Sequence, residues 1–214
     1  WLDGVKLIWI KWEGATRAEI DGLARLGVKA IEVYPWTEPS PELLAYIHSK
    51  GIRVLMEHYA LSSYEIRPEE KTALGIKGSE RDRSRLTSRR VADRHPDWVL
   101  SLLPGDEGLH DIYIHMDPHA KGFRQAKVKE AVDLVRKGYD GIRYDNLILP
   151  NGISQGRPYA ATYAAALQTL LREIKTAVRK INPEAVIAAN NAGPDAFNLT
   201  DVNMYEAGLS SESH

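Results

Sequence analysis

The chain has 214 residues, of which 43% are hydrophobic and 27% are charged, as in an ordinary globular protein. Lysine and arginine number 28 and aspartate and glutamate 29, so the net charge is −1. That balance disfavours nucleic-acid binding, which needs a basic excess. Cysteine is absent, which excludes disulfides, thiolate metal sites and a cysteine nucleophile. No apolar run approaches the roughly 20 residues that cross a bilayer, so no membrane partner is expected.

The first sixty residues predict strands and helices in alternation. Apolar runs predict strands over 5–12, 28–35 and 52–59, which begin 23 and 24 residues apart. Between them, Thr16-Arg-Ala-Glu19 has the pattern of a capping box that opens a helix. Ser40-Pro41 opens a second helix, with serine as N-cap and proline at the first helical position. The regular spacing indicates a repeated βα unit.

A long excursion follows over residues 61–118. Its charged part, 64–97, predicts a solvent-exposed helical segment, with a lid over the site as the alternative. His95–Trp98 and Ile112–Pro118 indicate ordered pieces within it, such as a short hairpin. The sequence leaves the role of this excursion open.

The second half returns to the βα pattern. It predicts a helix over 128–135, a strand over 140–145, a long helix over 159–181, and strands over 185–190 and 202–206. Strands separated by helices form a parallel sheet, because each crossover returns the chain in the same direction.

Six such strands predict an α/β fold, a (β/α)8 TIM-type barrel that is incomplete in this chain. Residues 1–214 are expected to form a single barrel domain, because no linker-like stretch divides them. A doubly wound open sheet is the alternative fold. That fold usually carries a glycine-rich turn after its first strand, and Trp12–Thr16 contains one glycine.

Polar and aromatic residues follow the predicted strands at their carboxyl ends, where barrels place their binding and catalytic groups. Together they describe a polar cup with aromatic walls, which suits a carbohydrate: polar groups bind hydroxyls and rings pack on C–H faces. For each aromatic residue ordinary packing is the alternative, and for the histidine a structural role. The candidates for substrate binding are Trp12, Glu32, Tyr34, His58, Tyr59, Arg143, Asn146, Asn190 and Tyr205.

Asp145 and Glu206 are the candidate catalytic pair. Glycoside hydrolysis uses two carboxyl groups, one that protonates the leaving oxygen and one that attacks the sugar or activates water. Arg143 and Asp145 lie two residues apart on a strand and share a face, and a neighbouring arginine favours the ionised form that a nucleophile requires. Glu206 ends an apolar strand, where partial burial favours a proton donor. The alternative is a structural Arg143–Asp145 salt bridge with Glu206 in solvent.

A family resemblance supports this interpretation. The stretch KGYDGIRYDN, residues 137–146, resembles the fourth-strand motif of (β/α)8-barrel glycoside hydrolases, and its Arg-x-Asp step is similar to that of the α-amylase clan. Residues 50–60 and 23–35 resemble the third and second strands of that clan. The resemblance implies that Asp145 is the nucleophile.

The chain departs from the clan after strand five. The clan has its acid glutamate there, and this chain has Asn190-Asn191. A glutamate after strand six instead resembles family 114-type endo-galactosaminidases and their relatives, which implies that Glu206 is the acid/base. Both families are retaining, so the resemblance implies carboxyl oxygens of Asp145 and Glu206 roughly 5–5.5 Å apart.

The sequence therefore predicts a retaining glycosidase of oligo- or polysaccharides that needs no cofactor. The alternative is a catalytically silent carbohydrate-binding barrel. A metal-dependent sugar enzyme with an ion near Glu57 is a weaker option, because Glu57 and His58 are adjacent on a strand and point to opposite faces, so no metal is expected. A carbohydrate substrate favours a secreted or cell-surface location, although the chain shows no signal-peptide pattern. The sugar, the linkage, the anomer and the oligomeric state stay open.

Overall fold

A computed structural model gives the structure of the chain. It describes residues 7–9, 16–70, 78–101, 114–145, 147, 160–190, 192–193, 196 and 198–204. The elements, in chain order, are β1 (Leu7–Trp9), α1 (Arg17–Arg25), β2 (Ala30–Val33), α2 (Pro41–Ser49), β3 (Arg53–Tyr59), α3 (Glu80–Arg94), α4 (Lys121–Arg136), β4 (Gly141–Asp145), α5 (Ala160–Arg179), β5 (Val186–Asn190) and β6 (Val202–Met204). No helix in these ranges is long and apolar enough to span a bilayer.

The six strands form one sheet in the order β1-β2-β3-β4-β5-β6, and every neighbouring pair is parallel. This order confirms the predicted arrangement and rules out the reversal in strand order that a doubly wound sheet has. The curled parallel sheet corresponds to an incomplete TIM-type barrel. The second strand, Ala30–Val33, is shorter than the predicted 28–35, because the hydrogen-bonded ladder covers only the central residues of that run. The outer residues predicted for the first strand (5–6 and 10–12) and the sixth strand (205–206) lie outside the described residues.

The helix boundaries follow from capping. The Thr16 hydroxyl accepts from the Glu19 amide, while the Glu19 carboxylate accepts from the Thr16 amide at 2.6 Å, so the predicted capping box is present. Ser40 caps α2, with Pro41 at the first position, also as predicted. Gly51 ends α2 with a φ of +72°, a conformation that favours glycine and that turns the chain into β3.

The sheet has two differently packed faces. The outer face carries the main core, in which Ile31, Met56 and Ile142 pack beneath the helices. The inner face, which a closed barrel would enclose, carries a smaller apolar cluster of Leu55, Val186 and Ala188. Alternation along β3, β4 and β5 thus sends neighbouring side chains to different environments.

The excursion after β3 contains the predicted helix, α3, which packs against the segment that follows β3. Arg90 of α3 holds both oxygens of Glu70 at 2.7 Å, and these hydrogen bonds lower the pKa of Glu70 to about 2. An antiparallel bridge joins Val99 to Met116, in agreement with the expected hairpin. The helical interpretation is therefore confirmed for Glu80–Arg94, while a lid function stays a prediction.

Candidate active site

Four polar residues of the inner face surround a buried arginine. Arg143 lies in the middle of β4, paired in register with Glu57 of β3, and Asp145 follows two residues later on the same face. Glu32 reaches the arginine from β2, and Asn190 ends β5 beside Asp145. Parallel strands bring these positions together because their carboxyl ends lie at one edge of the sheet.

The guanidinium of Arg143 contacts three carboxyl groups. Its Nη1 lies 2.9 Å from Asp145 Oδ1 and 3.2 Å from Glu57 Oε2, and its Nε lies 3.5 Å from Glu32 Oε2. The predicted Arg143–Asp145 contact is therefore present, within a larger cluster than the sequence pattern indicated. One cation facing three acids is a dense concentration of negative charge for an interior site.

Exposure separates the three acids. The side chain of Asp145 is 15% exposed, whereas those of Glu57 and Glu32 are 2% and 0% exposed. A nucleophile must contact its substrate, so only Asp145 among these three has the required access. Glu57 and Glu32 are the buried acids of the cluster.

Two donors bind the same oxygen of Asp145. Asn190 Nδ2 donates to Oδ1 at 2.8 Å, and Arg143 Nη1 contacts Oδ1 at 2.9 Å. These two contacts to one oxygen fix the plane of the carboxyl group. An attack through Oδ2 would keep both contacts in place.

The carboxyl group of Glu32 has a raised pKa. Burial raises the pKa of its carboxyl group, and the nearby charge of Asp145 raises it further, while Arg143 acts in the opposite direction. Among the described residues neither oxygen of Glu32 has a hydrogen-bond partner. The ionised form of Glu32 is therefore poorly compensated where it lies.

The expectation that His58 faces the cup is wrong. His58 lies between Glu57 and Tyr59 on β3, so alternation turns it to the outer face. There its Nδ1 lies 2.8 Å from Glu130 Oε1 of α4, and it lines a cavity of about 180 Å³ on that side of the sheet. His58 is separated from Asp145 by the sheet and contacts Glu130 of α4.

The sequence analysis missed the partners of His58. Lys127 Nζ contacts the same Glu130 oxygen at 2.7 Å and is fully buried. Burial of the Glu130 carboxyl opposes ionisation, but His58 and Lys127 outweigh it and lower the pKa of Glu130 to about 2. The sequence did contain a signal of a buried charge. Lys127 occupies an apolar-face position of α4, four residues after Phe123 and seven before Leu134.

Tyr34 and Tyr59, two of the predicted aromatic walls, are buried. Tyr34 stacks on Trp36 with ring centroids 5.9 Å apart, and Tyr59 contacts Tyr64 edge-on at 6.1 Å. These contacts are the ordinary packing that the sequence left as the alternative. A role in stacking on a sugar stays a prediction for both.

Four of the predicted site residues fall outside the described ranges. The predicted distance between the carboxyl groups of Asp145 and Glu206 stays a prediction, because Glu206 is one of the four. These residues are Trp12, Asn146, Tyr205 and Glu206. Within the ranges that are described, no group of three or more histidine, aspartate and glutamate side chains is arranged to hold a metal ion.

Comparisons with known proteins address the fold. No family model and no curated protein matches the chain. Among solved structures, the glycoside hydrolase domain of PelA from Pseudomonas aeruginosa is similar at 14% identity and a TM-score of 0.62, over 94% of this chain and 66% of that one. An α-galactosidase from Thermus thermophilus in complex with stachyose is similar at 14% identity and a TM-score of 0.61, over 93% of this chain and 43% of that one.

A maltogenic α-amylase from Thermotoga neapolitana is similar at 10% identity and a TM-score of 0.63, over 95% of this chain and 50% of that one. The chain thus spans between 43% and 66% of the length of these three structures. At such identities the likeness shows the fold, which is the barrel architecture found in glycoside hydrolases.

Proposed function

We propose that the protein is a retaining glycosidase, with Asp145 as nucleophile and Glu206 as general acid/base. The observation that carries the proposal is the part-exposed carboxylate of Asp145, held by buried Arg143 and Asn190 at the carboxyl edge of the sheet. The Arg-x-Asp step of β4, which resembles the α-amylase clan, and the glycoside hydrolase fold support it. The carbohydrate partner and a single barrel domain over residues 1–214 belong to the same proposal.

The reaction has two steps. A carboxylate oxygen of Asp145 forms a bond to the anomeric carbon as the glycosidic bond breaks, and Glu206 gives its proton to the leaving oxygen. Glu206 then takes a proton from water, whose oxygen bonds to the anomeric carbon and displaces Asp145. The sugar leaves with its anomeric configuration retained, and both carboxyl groups return to their first state.

The test uses the full chain with a panel of α- and β-4-nitrophenyl glycosides and matching oligosaccharides. We expect Asp145→Asn to lower kcat by at least about 10³-fold, because the amide is close in shape but cannot attack. Asp93→Asn is the matched control, since Asp93 is an exposed residue of α3 whose partner is Arg89. Glu206→Gln should lose activity on oligosaccharides and keep part of it on 4-nitrophenyl glycosides, whose leaving group needs no proton.

Azide distinguishes a nucleophile from a binding residue. With Asp145→Ala, azide should attack from the side that the carboxylate occupied and give a glycosyl azide of inverted configuration. Unimpaired hydrolysis by Asp145→Asn would refute the assignment. Binding of oligosaccharides by the wild type without turnover of any panel member would favour a silent carbohydrate-binding barrel.

A further inference from the structure

Two carboxyl groups meet at one nitrogen of Arg143. Nη1 lies 2.9 Å from Asp145 Oδ1 and 3.2 Å from Glu57 Oε2. Glu57 of β3 is the register partner of Arg143, so the ladder between β3 and β4 fixes its position. The side chains of Arg143 and Glu57 are each 2% exposed, whereas that of Asp145 is 15% exposed. Asp145 is therefore the acid that a substrate can reach, and the buried acid beside it lacks that access.

The proposed reaction changes the charge beside this nitrogen. When Asp145 attacks the anomeric carbon, its carboxylate becomes an ester and loses its negative charge. At the same time positive charge develops on the sugar ring, because the transition state is oxocarbenium-like. Arg143 stays charged throughout, since a guanidinium keeps its proton in proteins. A buried cation next to a neutral ester and a developing positive charge is costly unless another negative group lies against it.

Glu57 is suited to balance Arg143 during this step. It takes no part in the bonds that form and break, so its ion pair with Nη1 can persist while the charge of Asp145 disappears. Glu32 is less suited, because its Oε2 lies 3.5 Å from Nε and because burial raises the pKa of its carboxyl group. The geometry thus separates an acid that reacts from an acid that balances charge.

We propose that Glu57 is a positioning residue that acts through Arg143: its carboxylate balances the arginine while Asp145 carries the sugar, and so favours formation of the glycosyl-enzyme. This inference rests on the proposed function and assigns a residue to one of its two steps. Without the charge of Glu57, Arg143 attracts the carboxylate of Asp145 more strongly. Asp145 then becomes a weaker nucleophile in the first step and a better leaving group in the second.

The experiment measures the two steps separately in full-length wild type, Glu57→Gln and Asp140→Asn. A 5-fluoroglycosyl fluoride, of the sugar and anomer that the wild type cleaves, forms the ester on Asp145 and releases it slowly. The rate of inactivation reports the first step, and the rate of recovery after removal of excess reagent reports the second. Glu57→Gln keeps the shape of the side chain and loses its charge. We expect it to lower the first rate at least about tenfold and to leave the second rate equal or higher.

The two rates distinguish charge balance from a structural role. If Glu57 only supports the packing around Asp145, Glu57→Gln slows both steps by the same factor, and this result, like unchanged rates, overturns the proposal. Asp140→Asn is the matched control, because it removes a buried carboxylate that precedes β4 and pairs with Arg53. It should not slow the first step selectively.

Two further outcomes are defined. If Glu57→Gln does not fold, Glu57→Asp withdraws the carboxylate from Nη1 by one methylene group and should show the same inequality to a smaller extent; equal effects on both steps overturn the proposal in that variant too. A wild type that cleaves no glycoside and forms no ester refutes the proposed function itself. A wild type that does both, with no selective effect in the Glu57 variants, refutes only the role of Glu57.

Discussion

Asp140 is the residue whose removal should weaken the base of β4 most directly. It precedes the strand that carries Arg143 and Asp145, and its side chain joins three segments. Its Oδ2 accepts from the Val54 amide at 2.8 Å and lies 2.9 Å from His48 Nε2, while its Oδ1 contacts Arg53 Nη1 at 2.7 Å. Substitution by alanine removes all three contacts at once.

The expected loss follows from the environment of each contact. The Val54 amide is buried, and leaving such a donor unpaired costs about 1–3 kcal/mol. Arg53 and His48 are 41% and 34% exposed, so water compensates them and each contributes up to about 1 kcal/mol. Asp140→Ala should therefore lower the free energy of unfolding by about 2–4 kcal/mol, or Tm by roughly 5–15 °C for a domain of this size.

Chemical and thermal unfolding followed by circular dichroism measures this loss. Asp140→Asn keeps an oxygen for the Val54 amide and should lose less than the alanine variant. Asp93→Asn, which removes one charge from an exposed pair, should change stability by less than about 0.5 kcal/mol. A loss for Asp140→Ala no larger than that of Asp93→Asn would refute the reasoning.

The stability that the Asp140 carboxylate contributes should decrease in acid. Burial opposes ionisation of Asp140, but His48, the Val54 amide and Arg53 outweigh it and lower the pKa of its carboxyl group. A lowered pKa means that the contribution is present above the ordinary aspartate value of about 3.9 and is lost as the pH falls through the folded value. The stability difference between wild type and Asp140→Asn should therefore narrow in acid below about pH 4.

Two further substitutions test the charge cluster and the outer face. Burial raises the pKa of the Glu32 carboxyl group. The wild type should therefore lose stability relative to Glu32→Gln as the pH rises from the ordinary glutamate pKa of about 4.3 through the raised pKa. A difference in Tm between the two proteins that does not change with pH would contradict this. His58→Gln should keep kcat/KM within about threefold on any active glycoside while it lowers the free energy of unfolding by about 1–2 kcal/mol, since His58 contacts Glu130 on the face of the sheet opposite to Asp145. A loss of activity in His58→Gln with unchanged stability would instead indicate that His58 contributes to the active site.

Local patterns were sufficient to predict the order of the fold. The capping box of α1, the serine–proline start of α2 and the glycines after α1, α2 and α4 depend on neighbours within a few residues, and those signals survive in the structure. The parallel order follows from the crossovers. Strand ends were less predictable, because an apolar run continues past the point where the ladder of hydrogen bonds stops.

Site residues were predicted correctly only where the alternation of side chains between the two faces of a strand was taken into account. Arg143 and Asp145, two residues apart, share a face as expected, and Asn190 reaches the same carboxylate. His58 was predicted to face the cup because it lies near the end of a strand. It is adjacent to Glu57 on that strand, however, so the two side chains point to opposite faces of the sheet. The contacts of Glu32 with Arg143 and of His58 with Glu130 depend on distances across elements, which a single sequence does not contain.

The inner face of the sheet combines apolar residues with a cluster of charged side chains. The same face of the sheet also carries the apolar cluster of Leu55, Val186 and Ala188, which needs no charge compensation. At the level of Arg143, three carboxyl groups instead share one guanidinium, and the described part of the chain offers Glu32 no hydrogen bond. Replacing such buried charges by apolar residues is often neutral or stabilising, so stability alone does not account for them. Among these three acids, Asp145 is the part-exposed one, and it lies at the edge of the sheet where barrel enzymes place their active sites.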